Sequence, residues 1–312
     1  MYKLRVGISA CLLGAQVRFD GGHKRSAFCT QELAQHVEFV PLCPEMGLGL
    51  GSPRPAIRLV RQGEGIAAVT SQGGEDLTAP LLAVSQQAMP GMADLSGYIL
   101  CAKSPSCGME RVRVYGPRGG IKEGVGLFAQ TLLTTYPLLP VEEEGRLQDP
   151  ALRENFILRL FAYHSWQQLM GDGPSPARLI AFHARYKYLL MSHSPDAYAR
   201  LGRLLGQMQG RPLEAVAAEY IQQLMPALRQ LASRAGHSNV LQHLQGYFKR
   251  VLSAPQKQEL ASLIEQYRLG LLPLLAPLTL LRHYLREYPN AYLAQQIYLN
   301  PYPDTLKLRT FL

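Results

Sequence analysis

The pattern of apolar and polar positions divides the chain into two halves of different texture. The first half alternates short apolar runs with glycine-rich turns, and three runs have the length and composition of buried β-strands: residues 4–11, 37–43 and 97–104. Segments 26–37 and 79–91 lie between these runs and predict helices. Shorter runs predict edge strands or a hairpin at residues 56–63, 67–70 and 112–116. Because strands that alternate with helices form parallel sheets, we predict a Rossmann-like α/β domain with a mostly parallel sheet over residues 1–140.

The second half lacks such strand patterns. Residues 134–150 contain three prolines, an acidic triplet and a glycine, which indicates a linker. Beyond it, helical periodicity recurs at roughly 151–170, 175–191, 195–209, 212–234, 238–252, 255–271, 277–287 and 289–299. A serine near a first-turn proline marks three of the predicted starts, at Ser175, Ser194 and Ser253. We therefore predict an all-α domain over residues 150–312.

All five cysteines lie in the first half, and most follow a predicted strand. Cys11 and Cys43 end the first two strands, while Cys101 and Cys107 surround the exit of the third. Because ligands bind at the carboxyl ends of parallel strands, we expect thiols to meet at one sheet edge. The odd number and uneven spacing argue against a disulfide framework and favour reactive or metal-binding thiols. From spacing alone, three interpretations stay open: an iron–sulfur cluster with three cysteine ligands, a zinc site, or buried thiols.

Not every cysteine is expected to take part in this chemistry. Cys29 lies in a predicted helix and Cys101 in an apolar strand, and both kinds of position commonly bury free cysteines. We therefore predict that these two residues only pack.

Three polar residues lie beside the predicted thiol site. Glu45 follows Cys43 by two residues, and a partly desolvated carboxylate there could act as a general acid or base. Ser104 and Ser106 precede Cys107, and their hydroxyls could bind a substrate. The alternatives are a solvent-facing turn residue for Glu45 and a turn cap for the two serines.

The positive charge is concentrated in the second half. The chain has a net charge of +9, and residues 147–312 hold 18 Lys and Arg against 10 Asp and Glu. Twelve of the 16 tyrosines also lie beyond residue 147. Cations beside aromatic rings suit RNA, because cations meet phosphates and rings stack on unpaired bases. The candidate RNA contacts are Arg178, Arg185, Lys187, Lys249 and Arg250; the alternative is a basic surface that only confers solubility.

Nothing in the sequence predicts a membrane span or an export signal. The longest apolar tract, residues 269–281, is too short to cross a bilayer and contains two prolines. The first residues read as a strand, and no secretory cleavage pattern follows them. We therefore expect a cytoplasmic protein without a membrane partner.

Five sequence motifs, taken together, resemble known families. In the first half, ISACLLGAQVRFDGGHK, PLCPEMGLGLGSPRP and AKSPSCG resemble the thiouracil desulfidase (TudS-type) family. In the second half, FHARYKYLLMSHSPDAY and NVLQHLQGYFKRVLSAPQKQEL resemble the YbgA-like helical domain. The pairing resembles RudS-type proteins, desulfidases implicated in the removal of 4-thiouridine from tRNA. This resemblance implies tRNA as substrate and partner.

The resemblance also implies a cofactor and site residues. Family members carry a 4Fe–4S cluster that three cysteines bind and whose fourth iron is open. By motif, the ligands of that iron cluster fall on Cys11, Cys43 and Cys107, the catalytic glutamate on Glu45 and the motif serine on Ser104.

The implied reaction is a non-redox hydrolysis. A soft thiocarbonyl sulfur would prefer the open iron while water attacks the ring carbon. Glu45 would activate that water or pass a proton to the ring nitrogen. No electrons are consumed, and the chain has neither a G-x-G-x-x-G nor a C-x-x-x-C-x-x-C pattern. We expect conversion of 4-thiouridine in tRNA to uridine and hydrosulfide. Two alternatives stay open: desulfuration of free thiouracil or thionucleosides, and a non-enzymatic RNA-binding iron–sulfur sensor.

Overall fold

The computed structural model describes residues 4–310. Residues 1–3 and 311–312, the outer ends of the two predicted domains, lie outside the described residues. The chain divides between Gln148 and Asp149 into two compact units, which we call the α/β unit and the helical unit.

The α/β unit contains all the strands found in residues 4–310. They are β1 (Leu4–Ser9), β2 (Val37–Leu42), β3 (Ile57–Gln62), β4 (Gly65–Thr70), β5 (Gly97–Leu100), β6 (Val112–Gly116), β7 (Gly119–Gly124) and β8 (Val141–Glu143). Two α-helices belong to the same unit: α1 (Thr78–Ala88) and α2 (Leu127–Thr135).

The strands form two sheets of four. The first sheet has the order β2-β1-β5-β8, and all of its neighbours are parallel. Every residue of β5 is buried, as expected for an inner parallel strand covered on both faces. The second sheet has the order β4-β3-β6-β7, with antiparallel hairpins β3–β4 and β6–β7 joined by a parallel β3–β6 pair. The predicted α/β fold with a parallel sheet is confirmed.

A glycine allows the two central strands of the first sheet to pack. A Cβ atom at Gly7 on β1 would lie 2.2 Å from the ring of Tyr98, so only glycine leaves room for this buried tyrosine on β5. The Tyr98 ring in turn packs against Phe128 of α2 at a centroid distance of 5.5 Å.

The predicted linker is wrong for part of its length. Residues 141–143 form β8, which pairs with β5 and completes the first sheet. The acidic triplet suggested exposure, but Glu142, Glu143 and Glu144 are all buried. Their carboxylates accept hydrogen bonds from Arg146 Nε (2.6 Å), Met109 N (2.8 Å) and Ala102 N (2.6 Å), respectively. Burial is tolerated because each carboxylate has a donor.

Two predicted helices of the α/β unit differ from expectation. The segment 26–37 forms a π-helical turn (Phe28–Glu32) followed by a 3₁₀ turn (Leu33–Gln35). The segment 79–91 forms α1 and then a 3₁₀ turn (Met89–Met92) that has a proline in its first turn.

The helical unit is all-α over the residues described, as predicted. Its helices are α3 (Pro150–Gly171), α4 (Pro176–His193), α5 (Pro195–Gly206), α6 (Leu213–Arg229), α7 (Arg234–Gly246), α8 (Ala254–Arg268), α9 (Leu275–Glu287) and α10 (Ala291–Ala294). The Ser175, Ser194 and Ser253 side chains cap α4, α5 and α8, as the Ser-Pro signals predict. The last predicted helix, residues 289–299, is shortened to α10.

A buried ion pair fastens the last described segment to α3. Arg309 Nε lies 3.5 Å from Glu154 Oε1, and both side chains are less than a tenth exposed. Tyr302 OH donates to the same Glu154 oxygen (2.8 Å), and Arg309 Nη1 donates to the carbonyl of Tyr298 (2.7 Å). These bonds partner the two charges that burial would otherwise make costly.

Within the described part of the chain, no helix combines the length and the apolar character needed to cross a membrane.

The Arg309→Met variant should strongly destabilise the helical unit. It leaves the Glu154 carboxylate buried without its cation, and breaking such a pair costs about 3–5 kcal/mol of unfolding free energy. The chain has a single tryptophan, Trp166, which is buried in the helical unit. Its fluorescence during urea unfolding therefore measures this unit.

The control for this prediction is Arg268→Met. That variant breaks a solvent-exposed pair with Glu265 three residues away on the same helix, and the loss of such a pair should barely change the unfolding free energy. Equal losses in both variants would contradict a stabilising role for the buried pair.

Candidate active site

Four of the five cysteines line a single cavity at the carboxyl edge of the first sheet. The cavity has a volume of about 540 Å³, and the cysteines that line it are Cys11, Cys43, Cys101 and Cys107. These residues follow β1, β2 and β5, three adjacent parallel strands. Thiols from distant parts of the chain thus share one space, as expected for a site at the ends of parallel strands.

Local structure fixes each of the three predicted ligand positions. Cys11 lies in a 3₁₀ turn (Ala10–Leu13) directly after β1, and Gly14 ends the turn in the left-handed conformation with φ of 99°. Cys43 directly follows β2, and its Sγ lies 3.8 Å from the carbonyl oxygen of Val17. Cys107 lies in a turn, and the backbone N–H of Cys107 donates to Ser104 Oγ (3.0 Å).

Burial favours the protonated form of two of these thiols, Cys43 and Cys107. Burial raises the pKa of the Cys43 thiol, and it raises that of Cys107 well above the usual value for cysteine. The nearby Glu45 carboxylate adds to both effects. Binding of a metal would therefore have to displace these protons.

Glu45 lines the cavity and is held by both of its carboxylate oxygens. Ser106 Oγ donates to Oε1 (2.9 Å), and Arg54 Nη2 forms an ion pair with Oε2. The Arg54 side chain is 1% exposed, and it also donates to the carbonyls of Gly51 (2.9 Å) and Val17 (3.0 Å). The glutamate is therefore not a solvent-facing turn residue.

The two serines before Cys107 have different contacts. Ser104 lines the cavity, and its Oγ accepts from the backbone N–H groups of both Ser106 and Cys107. Ser106 is fully buried and is the serine that contacts Glu45. Ser104 therefore caps the turn that carries Cys107, whether or not it also meets a substrate.

Cys101 is closer to the site than we predicted. Strand β5 ends at Leu100, so Cys101 lies beyond the strand and lines the cavity. A hydrogen bond with Cys11, together with burial, raises the pKa of the Cys101 thiol. Its backbone N–H donates to Ser9 Oγ (3.0 Å). Cys29, by contrast, is fully buried in the π-helical turn and is not among the residues that line the cavity.

The rim of the cavity carries charges of both signs and one exposed ring. Arg18 pairs with Asp20 at 3.5 Å, and its guanidinium lies 5.6 Å from the ring centroid of Phe19. Lys24 pairs with the buried Glu144. Lys103 is exposed and has a φ of 65°, an uncommon conformation for a residue with a side chain.

The structure separates the five predicted RNA contacts in the helical unit. Arg178 Nη1 donates to the carbonyls of Asp172 (2.7 Å) and Gly173 (2.6 Å), so this arginine is engaged within the protein. Arg185, Lys249 and Arg250 are exposed, whereas Lys187 is half-buried.

No three Cys, His, Asp or Glu side chains of residues 4–310 are placed to ligate one metal ion.

Comparison with known proteins gives a match for each unit. Residues 6–144 match a family model described as 2-thiouracil desulfurase. Residues 187–303 match one described as protein of unknown function (DUF1722). A relative from Escherichia coli (strain K12), described as uncharacterized protein YbgA, is 36% identical over 157 residues, which cover 50% of this chain and 93% of that protein. The chain belongs to the YbgA family.

A solved structure is also similar to part of this YbgA-family chain. It is described as [4Fe-4S]-dependent thiouracil desulfidase TudS, shares 32% sequence identity, and matches with a TM-score of 0.38. The match covers 47% of this chain and 94% of that one. At the level of families, the family matches confirm the resemblance of the first half to thiouracil desulfidases and of the second half to YbgA.

Sequence reasoning missed two residues that shape the site, Arg54 and Gly126, and did not distinguish the role of Ser106 from that of Ser104. Arg54 lies in the proline- and glycine-rich segment after Glu45, where an arginine has no local signal of burial. Ser106 is one of two equivalent-looking serines, and only the fold shows which of them faces Glu45. Gly126 is 19 residues beyond Cys107, yet a Cβ atom there would lie 2.5 Å from the Ser106 carbonyl and 2.8 Å from Cys107 N.

The Gly126→Ala variant should displace the turn that carries Cys107. The new methyl group meets backbone atoms that cannot rotate away, and such overpacking costs about 1–3 kcal/mol. We expect a lower midpoint of thermal unfolding and faster alkylation of Cys107 by iodoacetamide in metal-free protein. Gly116→Ala is the control, because a Cβ atom at Gly116 meets nothing within 4 Å. Unchanged Cys107 alkylation in Gly126→Ala would refute this packing role.

Proposed function

We propose that this protein is an iron–sulfur-dependent, non-redox desulfidase that removes the thio group of 4-thiouridine in tRNA. The products are uridine and hydrosulfide. Water supplies the oxygen that replaces sulfur, so atoms balance without any transfer of electrons.

The arrangement of one cavity supports this proposal most directly. Thiols from three separate strand ends and the carboxylate of Glu45 line a space of about 540 Å³. A merely structural thiol site would not need a carboxylate that is held by both oxygens and reaches the same space. The match of residues 6–144 to the 2-thiouracil desulfurase family adds independent support.

The donor set fits an iron–sulfur cluster. Thiolates are the usual ligands of such clusters, and here four thiols line one cavity of about 540 Å³. Cys11, Cys43 and Cys107 would hold the cluster, with Cys101 beside Cys11. When bound, the cluster would supply a soft Lewis acid for a thiocarbonyl sulfur.

The residues of this chain would carry the proton chemistry. Glu45 would take the proton of the attacking water. Arg54 and Ser106 fix both of its oxygens, so the carboxylate keeps one orientation in the cavity. Ser106 donates its hydroxyl hydrogen to Oε1, the oxygen that is not paired with Arg54. Ser104 would orient the substrate or the water while it caps the Cys107 turn.

The basic second half favours a polyanionic substrate. Residues 147–312 carry 18 Lys and Arg against 10 Asp and Glu, whereas the part that holds the thiols has nearly balanced charge. Affinity for nucleic acid depends largely on such cations because they replace the counterions of phosphates. In this proposal the helical unit binds tRNA and the α/β unit performs the chemistry in the cytoplasm.

Desulfuration of free thiobases is the second candidate. The descriptions of the matching family and of the similar solved structure both name thiouracil. A non-enzymatic RNA-binding sensor is the rival from another class, and it predicts RNA binding without release of sulfide.

The proposed reaction can be tested in the absence of oxygen. Protein with a reconstituted cluster is mixed with tRNA that contains 4-thiouridine, and loss of the thiocarbonyl absorption is followed together with sulfide release. We expect both signals from the unaltered protein. The Cys107→Ser variant should give neither signal and should contain less iron than the unaltered protein. Cys29→Ala is the matched control and should keep its iron. Turnover of free thiouracil but not of tRNA would select the second candidate, and a cluster without turnover of either would select the sensor.

Glu45→Gln separates catalysis from assembly of the site. The amide keeps the shape of the side chain but cannot take a proton, so we expect turnover to fall by about 10²–10⁴-fold. The iron content and the visible spectrum should stay unchanged. Glu64→Gln, an exposed position in the β3–β4 turn, is the control. Full activity of Glu45→Gln with an intact cluster would remove Glu45 from the proposed mechanism.

A further inference from the structure

Four tyrosines from four separate segments and one lysine form a connected group of contacts in the helical unit. Tyr188 and Lys187 lie in α4, Tyr198 lies in α5, Tyr247 directly follows α7, and Tyr292 lies in α10. We call these five residues the tyrosine–lysine cluster.

Direct contacts hold the cluster together. Tyr188 OH donates to Tyr247 OH at 3.0 Å, and the rings of Tyr247 and Tyr292 are stacked at a centroid distance of 5.8 Å. Lys187 Nζ lies 5.1 Å from the ring centroid of Tyr188 and 6.0 Å from that of Tyr198. Burial is the larger cause and the hydrogen bond with Tyr247 the smaller cause of a raised pKa of Tyr188. The Tyr188 hydroxyl therefore stays protonated and remains a donor.

Tyr188 is buried, but the rest of the cluster reaches solvent, unlike the other large aromatic group of this unit. Tyr247 is 41% exposed, and Tyr198, Tyr292 and Lys187 are half-buried. The other group is fully or almost fully buried and fills the core; its members are Trp166, Phe182, Tyr186 and Tyr220. The tyrosine–lysine cluster therefore offers ring surface and hydroxyls to a ligand.

The charge around the cluster is positive. In the described part of the helical unit, arginines and His283 make the ion pairs, and none of these pairs includes Lys187. Lys249 and Arg250 follow Tyr247 by two and three residues and are exposed. An unpaired cation beside exposed rings is complementary to a phosphate next to a base.

We propose that the tyrosine–lysine cluster binds an unpaired nucleotide of the RNA substrate. The base stacks on the exposed part of the Tyr247–Tyr292 pair, and Lys187 meets an adjacent phosphate. Duplex RNA does not offer a free base face, so the ligand is a loop or a splayed-out nucleotide. This inference rests on the proposed action on tRNA and adds the RNA contact of the helical unit.

The test measures binding apart from catalysis. The full-length protein is titrated into fluorescently labelled tRNA without thio groups, and the dissociation constant is obtained from anisotropy at several salt concentrations. Tyr247→Ala removes the stacking surface and should weaken binding about tenfold or more. Tyr247→Phe keeps the ring and should stay within about threefold of the unaltered protein. Lys187→Gln should weaken binding and reduce the slope of log K against log salt by about one.

Matched controls lie in the α/β unit. Tyr115→Ala removes a half-buried tyrosine that also contacts arginines, and Lys122→Gln removes an exposed lysine of β7. Both should leave the dissociation constant unchanged. Absence of turnover of 4-thiouridine in tRNA by the unaltered protein would count against the proposed desulfidase. The dissociation constants are measured on tRNA without thio groups, so they judge the tyrosine–lysine cluster separately.

A measurement on the unaltered protein guards against misfolded variants. Acetylation of Lys187 is followed by mass spectrometry with and without tRNA, and tRNA should slow it severalfold relative to Lys122. Equal acetylation in both conditions, unchanged affinity of Tyr247→Ala, or equal weakening by Tyr247→Phe and Tyr247→Ala would overturn the inference.

Discussion

Hydrogen bonds of buried polar groups at the carboxyl edge of the parallel sheet hold the loops from which the site is built. Beyond the ends of β1, β2, β5 and β8, the backbone has no neighbouring strand of this sheet with which to form hydrogen bonds. Ser9 Oγ accepts from Cys101 N, and the carboxylates of Glu143 and Glu144 accept from Met109 N and Ala102 N. These hydrogen bonds fix the loops whose thiols line the cavity, so they also determine where the cysteines lie.

Glu45 depends on the same kind of constraint. Its carboxylate is only slightly exposed, so each oxygen requires a partner, and Arg54 and Ser106 provide them from different segments. Arg54 is in turn fixed by the carbonyls of Val17 and Gly51. The orientation of one candidate catalytic group therefore depends on three loops that are far apart in sequence, and a carboxylate oriented before substrate arrives is what proton transfer requires.

The helical unit uses tyrosine in two physical settings. In its interior, hydroxyls satisfy buried groups, as when Tyr302 donates to Glu154 beside Arg309. At its surface, Tyr247 and Tyr292 stack on each other and stay partly open to solvent. Tyrosine suits both settings because one part of the side chain is apolar and the other can form hydrogen bonds. The count of tyrosines alone could not separate the two groups.

Sequence alone determined the features that local patterns encode. Apolar runs that alternate with helices predicted the parallel sheet, and Ser-Pro steps predicted three helix starts. The resemblance of three motifs to the thiouracil desulfidases implied Cys11, Cys43 and Cys107 as candidate ligands. Tertiary structure decided everything that depends on contacts across the chain. The segment with Glu143 and Glu144 was predicted to be a linker because charged residues are usually exposed. Both glutamates are buried, and the backbone N–H groups that donate to them belong to a distant loop. Cys101 resembled a packing residue until the end of β5 placed it beside Cys11, and Arg54 acquired a role only where three loops meet. A sequence pattern records the preferences of neighbouring residues, whereas a site is a set of distances between residues that only folding brings together.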